Sequence, residues 1–312
     1  MTVEEFEREW LDDKPWIEAH TSGSTGAPKA IRLLKKDMIA SAMATNTFFG
    51  LGSGDTFVCP LSSDYIAGKM MAVRAWLAGG RLLMLPPANN FAFTGSCSLL
   101  AIVPSQVEGL VKNCIQVCRT ANIIIGGAPL SDDRRRMLIE SGLNAYETYG
   151  MTETCSHIAL KHISEETFTA VGDTVFSVDG RGCLVAEVPS LSVGRVVTND
   201  IVELTDSRHF RWRGRFDNVI NTGAIKVYPE ELEKMIAEIL HPAYEFCIVG
   251  IPDDKWGQTV AIVAETDALS LARDCERLRE RLPHHMLPRR QYAVKALTRT
   301  ANGKIKRVVP EG

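Results

Sequence analysis

Between Thr56 and Tyr149 the chain repeats one pattern, and that pattern constrains the fold most. Apolar runs at Thr56–Cys59, Arg81–Leu85, Leu99–Val103, Asn122–Ile125 and Ala145–Tyr149 are mostly interleaved with helix-like segments. Parallel strands need a long crossover between them, usually a helix lying on the sheet. The interleaving therefore predicts an α/β fold: a large N-terminal domain with a mostly parallel, helix-covered sheet. A second texture begins near Cys183, where Cys183–Val188, Gly194–Thr198, Ile201–Leu204 and Phe210–Arg213 follow one another without helices. Those runs predict a small antiparallel β subdomain.

After Arg215 the pattern changes again. A helix is expected over Pro229–Leu240, with proline near its first position and Glu230 and Glu231 facing the positive end of its dipole. Strands at Glu245–Gly250, Thr259–Glu265 and Gln291–Ala296 and a helix near Leu271–Arg281 complete a small α+β C-terminal domain. We place the boundary at Asp217, giving domains 1–216 and 217–312. Near the N-terminus Thr2 and Glu5 form a capping box, and Val3, Phe6, Trp10 and Leu11 are read as one helix face. Two extended runs, Trp16–Ala19 and Ala30–Leu34, flank a loop of serine, threonine and glycine.

Composition excludes several classes. The 312 residues carry 35 Lys and Arg against 38 Asp and Glu, a formal charge of −3, so there is no electrostatic footprint for nucleic acid or an anionic membrane. No apolar stretch approaches the roughly 18 residues of a membrane span. The opening Met1–Phe6 is acidic where a signal peptide would be basic and then apolar. Eight scattered cysteines read as reduced, mostly buried thiols of a cytoplasmic protein. Cys114 and Cys118 could share a helix face, but neither they, nor Cys155 with His157, nor His284 with His285 form a zinc set.

Three segments carry chemistry. Thr21–Lys29, TSGSTGAPK, offers hydroxyls and backbone N–H groups around a turn and closes with a cation, a cradle for phosphate oxygens. Pro28 disfavours a helix starting there, so the loop should join two strands, unlike a Walker A loop; the bland alternative is a Ser/Gly surface hairpin. Gly126-Gly127-Ala128-Pro129 and Tyr149-Gly150-Met151-Thr152-Glu153 each follow an expected strand and so stand on one rim, where open α/β sheets bind ligands. Glycines admit a flat base, Tyr149 a stacking face, Thr152 a hydroxyl and Glu153 a hard oxygen for Mg²⁺. Individually they are also a strand-to-helix turn and a helix cap.

With GRFDNVINTGAIKVYPEELE (Gly214–Glu233) and TANGK (Thr300–Lys304), these segments occur in the order found in adenylate-forming enzymes, and the chain resembles that superfamily from residue 21 to residue 304. Asp64–Met71 and Tyr149–Lys161 are most similar to o-succinylbenzoate–CoA ligases of menaquinone biosynthesis. The resemblance implies that Thr21, Ser22, Gly23, Ser24, Thr25, Gly26 and Lys29 hold the β- and γ-phosphates of ATP. It implies that Gly126, Gly127 and Ala128 border the adenine and that Tyr149 stacks on it. Thr152 would reach the α-phosphate, Glu153 would ligate magnesium, and Asp200 and Arg215 would bind the ribose hydroxyls. Asp217 would be the hinge of a mobile C-terminal domain, and Lys304 its catalytic lysine.

The implied chemistry is ATP-dependent ligation of a small carboxylic acid to coenzyme A through an acyl-adenylate. Lys29, Lys304 and Mg²⁺ would offset the charge gathered when the carboxylate attacks the α-phosphorus. Coenzyme A brings its own sulfur, so no protein nucleophile is required. For the acid, Lys69 and Arg74 lie near Gly68 on an expected helix, and either could anchor a second carboxylate. Ser156 and His157 follow the YGMTE turn and are candidate pocket residues. Read otherwise, these are surface cations and a helix-face histidine.

Three departures stand out. The phosphate loop begins at Thr21, earlier than in the usual family member, which fits a short variant or a fragment. Ala224 stands where glycine is common, and Asn199 replaces the glycine often found before Asp200. The competing readings are a ligase for another aryl or acyl acid, an enzyme that loads a carrier-protein thiol, and a non-catalytic nucleotide-binding relic. Retention of both Lys29 and Lys304 argues against the relic. The oligomeric state, a homo-oligomer included, stays open.

Overall fold

The computed structural model describes residues 1–20, 30–299 and 305–310. Its contacts divide the chain into two units: Met1–Ser177 with Val185–Val197 and Leu204–Arg211, and Val178–Leu184 with Thr198–Glu203 and Trp212–Gly312.

In the first unit, helix α1 (Val3–Leu11) leads to strands β1 (Trp16–His20) and β2 (Ala30–Leu34), then α2 (Lys35–Phe49), β3 (Thr56–Cys59), α3 (Ile66–Ala78), β4 (Arg81–Met84) and β5 (Leu99–Ile102). Helix α4 (Val107–Asn113), β6 (Asn122–Ile125), α5 (Asp132–Glu140), β7 (Ala145–Gly150), β8 (His157–His162) and β9 (Phe168–Ala170) follow. The capping box forms as expected: the Thr2 hydroxyl accepts from Glu5 N–H, and the Glu5 carboxylate accepts from Thr2 N–H. Phe6 is buried beside Trp10 and Trp76, but Leu11 is 74% exposed. Five residues turn a helix by about 500°, so Leu11 points some 140° away from Phe6 and cannot share its face.

The sheet of this unit runs β9-β8-β7-β6-β5-β3-β4. Strands β3 to β7 are mutually parallel, as the interleaved pattern predicts, while β8 and β9 pair antiparallel. Successive side chains on a strand face opposite sides. Val58, Leu100, Ile102, Ile123 and Ile125 accordingly pack under α4 and α5 with Leu110 and Leu138. Phe57, Cys59, Leu99, Ala101 and Ile124 lie on the opposite face with Met71 and Ala75 of α3. Buried on both faces, these strands read as continuous apolar runs. All eight cysteines are buried and free. Cys114 and Cys118 share no helix face: α4 ends at Asn113 and residues 114–120 are turns.

Four strands lie in the region expected to be the small antiparallel subdomain: β10 (Val175–Val178), β11 (Cys183–Val188), β12 (Gly194–Leu204) and β13 (His209–Arg215). The expected runs Gly194–Thr198 and Ile201–Leu204 are one strand. Asn199 and Asp200 remain extended because their polar side chains find partners on neighbouring segments, Arg181 and Trp212.

In the second unit, β14 (Ile220–Thr222) and β15 (Ile225–Val227) precede α6 (Pro229–Leu240), β16 (Phe246–Asp253), β17 (Gly257–Ala264), α7 (Ala268–Arg279) and β18 (Arg290–Ala293). The sheet order is β15-β14-β17-β16, with β18 parallel to β17. Ile248, Val260 and Ile262 pack against Leu232 and Ile236 of α6 and Leu271 and Leu278 of α7. Among the described residues, no helix is long and apolar enough to cross a membrane.

Candidate active site

β1 and β2 pair antiparallel from Trp16↔Leu34 to His20↔Ala30. The two stems expected around the phosphate loop are therefore present. Thr21, Ser22, Gly23, Ser24, Thr25, Gly26 and Lys29 themselves lie outside the described residues, as does Lys304.

The strand ends that carry the other two segments are adjacent. β6 and β7 are parallel with Ile123 opposite Ala145 and Ile125 opposite Glu147, so Gly126 and Gly150 leave the same carboxyl rim. Strand order reverses elsewhere, between β3 and β5, the usual ligand crevice of such sheets. There Gln106 fills the space: its amide donates to the carbonyls of Pro60 and Ala88, both at 2.9 Å, and accepts from Val103 N–H at 3.1 Å.

Glycine at 126 is a packing requirement, since a Cβ there would stand 2.3 Å from Thr148 Oγ1. Gly127 has φ +84°, and Gly127 and Ala128 are exposed. At Gly150 a Cβ would meet the Ser156 carbonyl oxygen at 2.3 Å, so the chain doubles back tightly after β7. Thr154, fully buried, holds that return: its hydroxyl accepts from Met151 N–H at 3.1 Å and lies 2.8 Å from the Ser156 carbonyl. Nothing in the local sequence marked Thr154 as the lock of this turn; only the doubling back does. Thr152 is left half-buried and Glu153 exposed. Tyr149 meets Phe168 and Phe210 edge-on, at 5.8 and 5.1 Å between centroids. Cys155 beside the turn is no nucleophile, because burial pushes its thiol up to about 12.

The four candidate acid-binding residues divide. Lys69 and Arg74 both sit on α3 and both are buried rather than surface cations, at 2% and 1% exposure. Lys69 turns away from the others: Nζ lies 3.1 Å from Met1 Sδ, 3.5 Å from Glu9 and 4.6 Å from the Phe6 ring. Arg74, Ser156 and His157 come together. Arg74 Nη2 donates to Ser156 Oγ at 2.7 Å, and Ser156 Oγ is 3.4 Å from His157 Nδ1. Arg74 Nε is buried without a hydrogen-bond partner, and no carboxylate pairs with this guanidinium among the described residues. Burial draws its pKa down to about 10, so it remains a cation at neutral pH. His157 is held well below the usual histidine range by burial and by the Arg74 charge, so its ring is neutral.

In the second unit Asp200 and Arg215 are brought together at 3.3 Å, and Trp212 Nε1 donates to the same Asp200 oxygen at 3.2 Å. Trp212 is a partner that sequence reasoning missed, since twelve positions separate the two along the chain. Asp217 lies in a short 3₁₀ segment, Phe216–Asn218, accepting from Asn199 Nδ2 at 3.1 Å.

Among the described residues no group of three His, Cys, Asp or Glu could cage a metal. A single exposed carboxylate beside a hydroxyl, as at Glu153 and Thr152, nevertheless suits Mg²⁺. That ion is bound through one or two carboxylates and keeps water and phosphate as its remaining ligands.

Comparison with known proteins agrees with this architecture. The chain is 25% identical to 2-succinylbenzoate–CoA ligase of Enterococcus faecalis, across 92% of its own length and 67% of the relative's. The corresponding ligase of Staphylococcus epidermidis is 26% identical over the same shares. Among solved structures, an acyl-CoA synthetase (AMP-forming)/AMP-acid ligase II-like protein from Dyadobacter fermentans aligns with TM-score 0.66 and 32% identity, covering 96% of this chain and 90% of that one. O-succinylbenzoate coenzyme A synthetase from Bacillus subtilis, in complex with AMP, shares the fold at TM-score 0.77 and 19% identity, over 93% and 67% of the two chains. Residues 231–304 match the AMP-binding enzyme C-terminal domain. Residues 7–206 match the AMP-binding enzyme family, and the chain therefore belongs to the AMP-binding enzymes.

Proposed function

We propose that this chain is an AMP-forming ligase that activates o-succinylbenzoate as its acyl-adenylate and passes the acyl group to coenzyme A. The observation that carries the choice of acid is Arg74. A buried guanidinium with an orphaned Nε is costly unless an anion completes it, and a planar fork matches a carboxylate. An acid with one carboxylate spends it on adenylation and leaves Arg74 unanswered. A succinylbenzoate has a second carboxylate, and the named ligases among the relatives support that acid.

In this reading one acid carboxylate oxygen bonds to the α-phosphorus and pyrophosphate leaves. Lys29 and Lys304 offset the charge gathering on the phosphate oxygens, and Thr152 donates to the α-phosphate. Gly126, Gly127 and Ala128 border the adenine, with Tyr149 beside it. Asp200 accepts from the ribose hydroxyls and Arg215 donates to them. When bound at Glu153, Mg²⁺ supplies further charge neutralisation at those oxygens. The thiol sulfur of coenzyme A then bonds to the acyl carbon and AMP leaves. We further propose that residues 217–312 swing about Asp217 between the two steps, withdrawing Lys304 after the first. Eight buried free thiols suit a reducing compartment, and we place the reaction in the cytoplasm.

The test follows pyrophosphate and thioester with ATP, Mg²⁺, coenzyme A and a panel of acids. Arg74→Met should raise KM for o-succinylbenzoate by about 30-fold or more, the loss expected when one partner of a buried charge pair is removed. A benzoate lacking the succinyl group should be unaffected. Equal turnover of that benzoate by the unsubstituted protein would refute the choice of acid.

A further inference from the structure

Behind Arg74 runs a chain of hydrogen-bonding groups formed by Thr45, His157 and Ser156. The Thr45 hydroxyl, fully buried on α2, is 3.2 Å from the Ser41 carbonyl oxygen and 3.0 Å from His157 Nε2. The hydroxyl has one proton, and with that proton donated to the Ser41 carbonyl, Thr45 Oγ1 turns a lone pair to the ring. Nε2 therefore carries the hydrogen of the neutral imidazole, an assignment made from the network. Nδ1 is left as the acceptor and takes the Ser156 hydroxyl proton across a long 3.4 Å contact. Ser156 Oγ in turn offers its lone pair to Arg74 Nη2, a group that only donates, at 2.7 Å. With the Thr45 proton on the Ser41 carbonyl and Nη2 donating at the other end, every contact of the chain is satisfied in this polarity. The Arg74 main chain is held separately, by Asn46 Nδ2 donating to its carbonyl at 2.9 Å.

We infer that Thr45, acting through His157 and Ser156, is a positioning residue that orients the Arg74 guanidinium and thereby sets the preference for an acid with a second carboxylate. The inference rests on Arg74 being the anchor of that carboxylate. Thr45 touches no substrate. Without its hydroxyl, Nε2–H has no acceptor and the ring is free to take the other tautomer. Nδ1–H would then donate to Ser156 Oγ, and the Ser156 proton would lose the ring acceptor that fixes the hydroxyl's orientation. The guanidinium would keep its charge but share a no longer oriented acceptor with the ring.

Thr45→Val, nearly isosteric, should raise KM for o-succinylbenzoate about tenfold and lower its selectivity over the benzoate lacking the succinyl group by the same factor. KM for ATP should stay unchanged, and Thr45→Ser should restore selectivity. On the unsubstituted protein, ¹⁵N NMR of the His157 ring should show a neutral imidazole protonated at Nε2. A ring protonated at Nδ1, or Thr45→Val with full selectivity, overturns the inference, and the NMR arm decides alone if that variant does not fold. Arg74→Met separates the two failures. If it abolishes selectivity and Thr45→Val does not, the relay falls and the anchor stands; if neither changes selectivity, the anchor itself is wrong.

Discussion

Arg307, three residues beyond Lys304, ties the C-terminal tail to the second unit, and its replacement by glutamine should have a cost that depends on pH. The guanidinium reaches the Glu233 carboxylate through both Nη atoms, donates to the Ile248 carbonyl at 3.0 Å and lies 3.3 Å from Glu230. Among the described residues Glu233 otherwise accepts from Ile248 N–H, at 2.6 Å, with Glu230 adding a like charge nearby. Breaking a buried pair by removing one partner costs about 3–5 kcal/mol, and because each side chain is 21% exposed the low end, about 3 kcal/mol, applies. For a chain of 312 residues, an unfolding entropy of about 2.1 cal/mol/K per residue makes that a fall in Tm of roughly 5 °C at neutral pH. Burial already raises the Glu233 pKa above the usual 4.5 in spite of Arg307, and losing Arg307 removes the largest opposing contributions, so it rises further. A carboxyl whose folded pKa exceeds its unfolded value contributes fully below the unfolded pKa, and that contribution is lost as pH rises through the folded one. The deficit of Arg307→Gln should therefore be greatest at pH 7–8 and shrink toward pH 5, where Glu233 protonates in the variant first. Thermal unfolding of both proteins across that range measures it. Equal Tm values, or a deficit flat in pH, would refute the reasoning.

Three further outcomes are expected. Lys304→Ala should abolish adenylate formation yet leave thioester formation from supplied acyl-adenylate largely intact; equal loss in both half-reactions removes its assigned role. Asp217→Pro should stop overall thioester synthesis by freezing the proposed hinge, and normal synthesis would dismiss the domain swing. Gly126→Ala, whose Cβ would sit 2.3 Å from Thr148 Oγ1, should cost about 1–3 kcal/mol by overpacking. Adding Thr148→Ala should recover most of that in thermal unfolding, and no recovery would point to a different obstruction.

Much of the fold was legible because its signals are local. The β6 run Asn122–Ile125 and the α6 helix Pro229–Leu240 match their expected bounds residue for residue. Both depend on periodicity and end chemistry within a dozen neighbours. The candidate site was legible as segments, since glycine-bearing turns after parallel strands must share a rim. It was not legible as a set of contacts. Lys69 and Arg74 are five residues apart on one helix, about 140° around it, and only packing shows that the first meets Glu9 while the second meets Ser156. The same limit explains Leu11, and it explains why Asn199 and Asp200 were read as a break in a strand that their partners keep continuous.

The amino-acid order by itself determined the parallel strands β3 to β7, helix α6, the hairpin stems and the turns at the rim, because residues within a few positions of each other decide backbone conformation. Tertiary structure alone decided that, among the described residues, Lys69 meets a carboxylate while Arg74 meets Ser156, and which way the protons run behind it. Thr45 and His157 are 112 residues apart, and burial, charge and hydrogen-bond polarity exist only once such distant groups are packed together out of water.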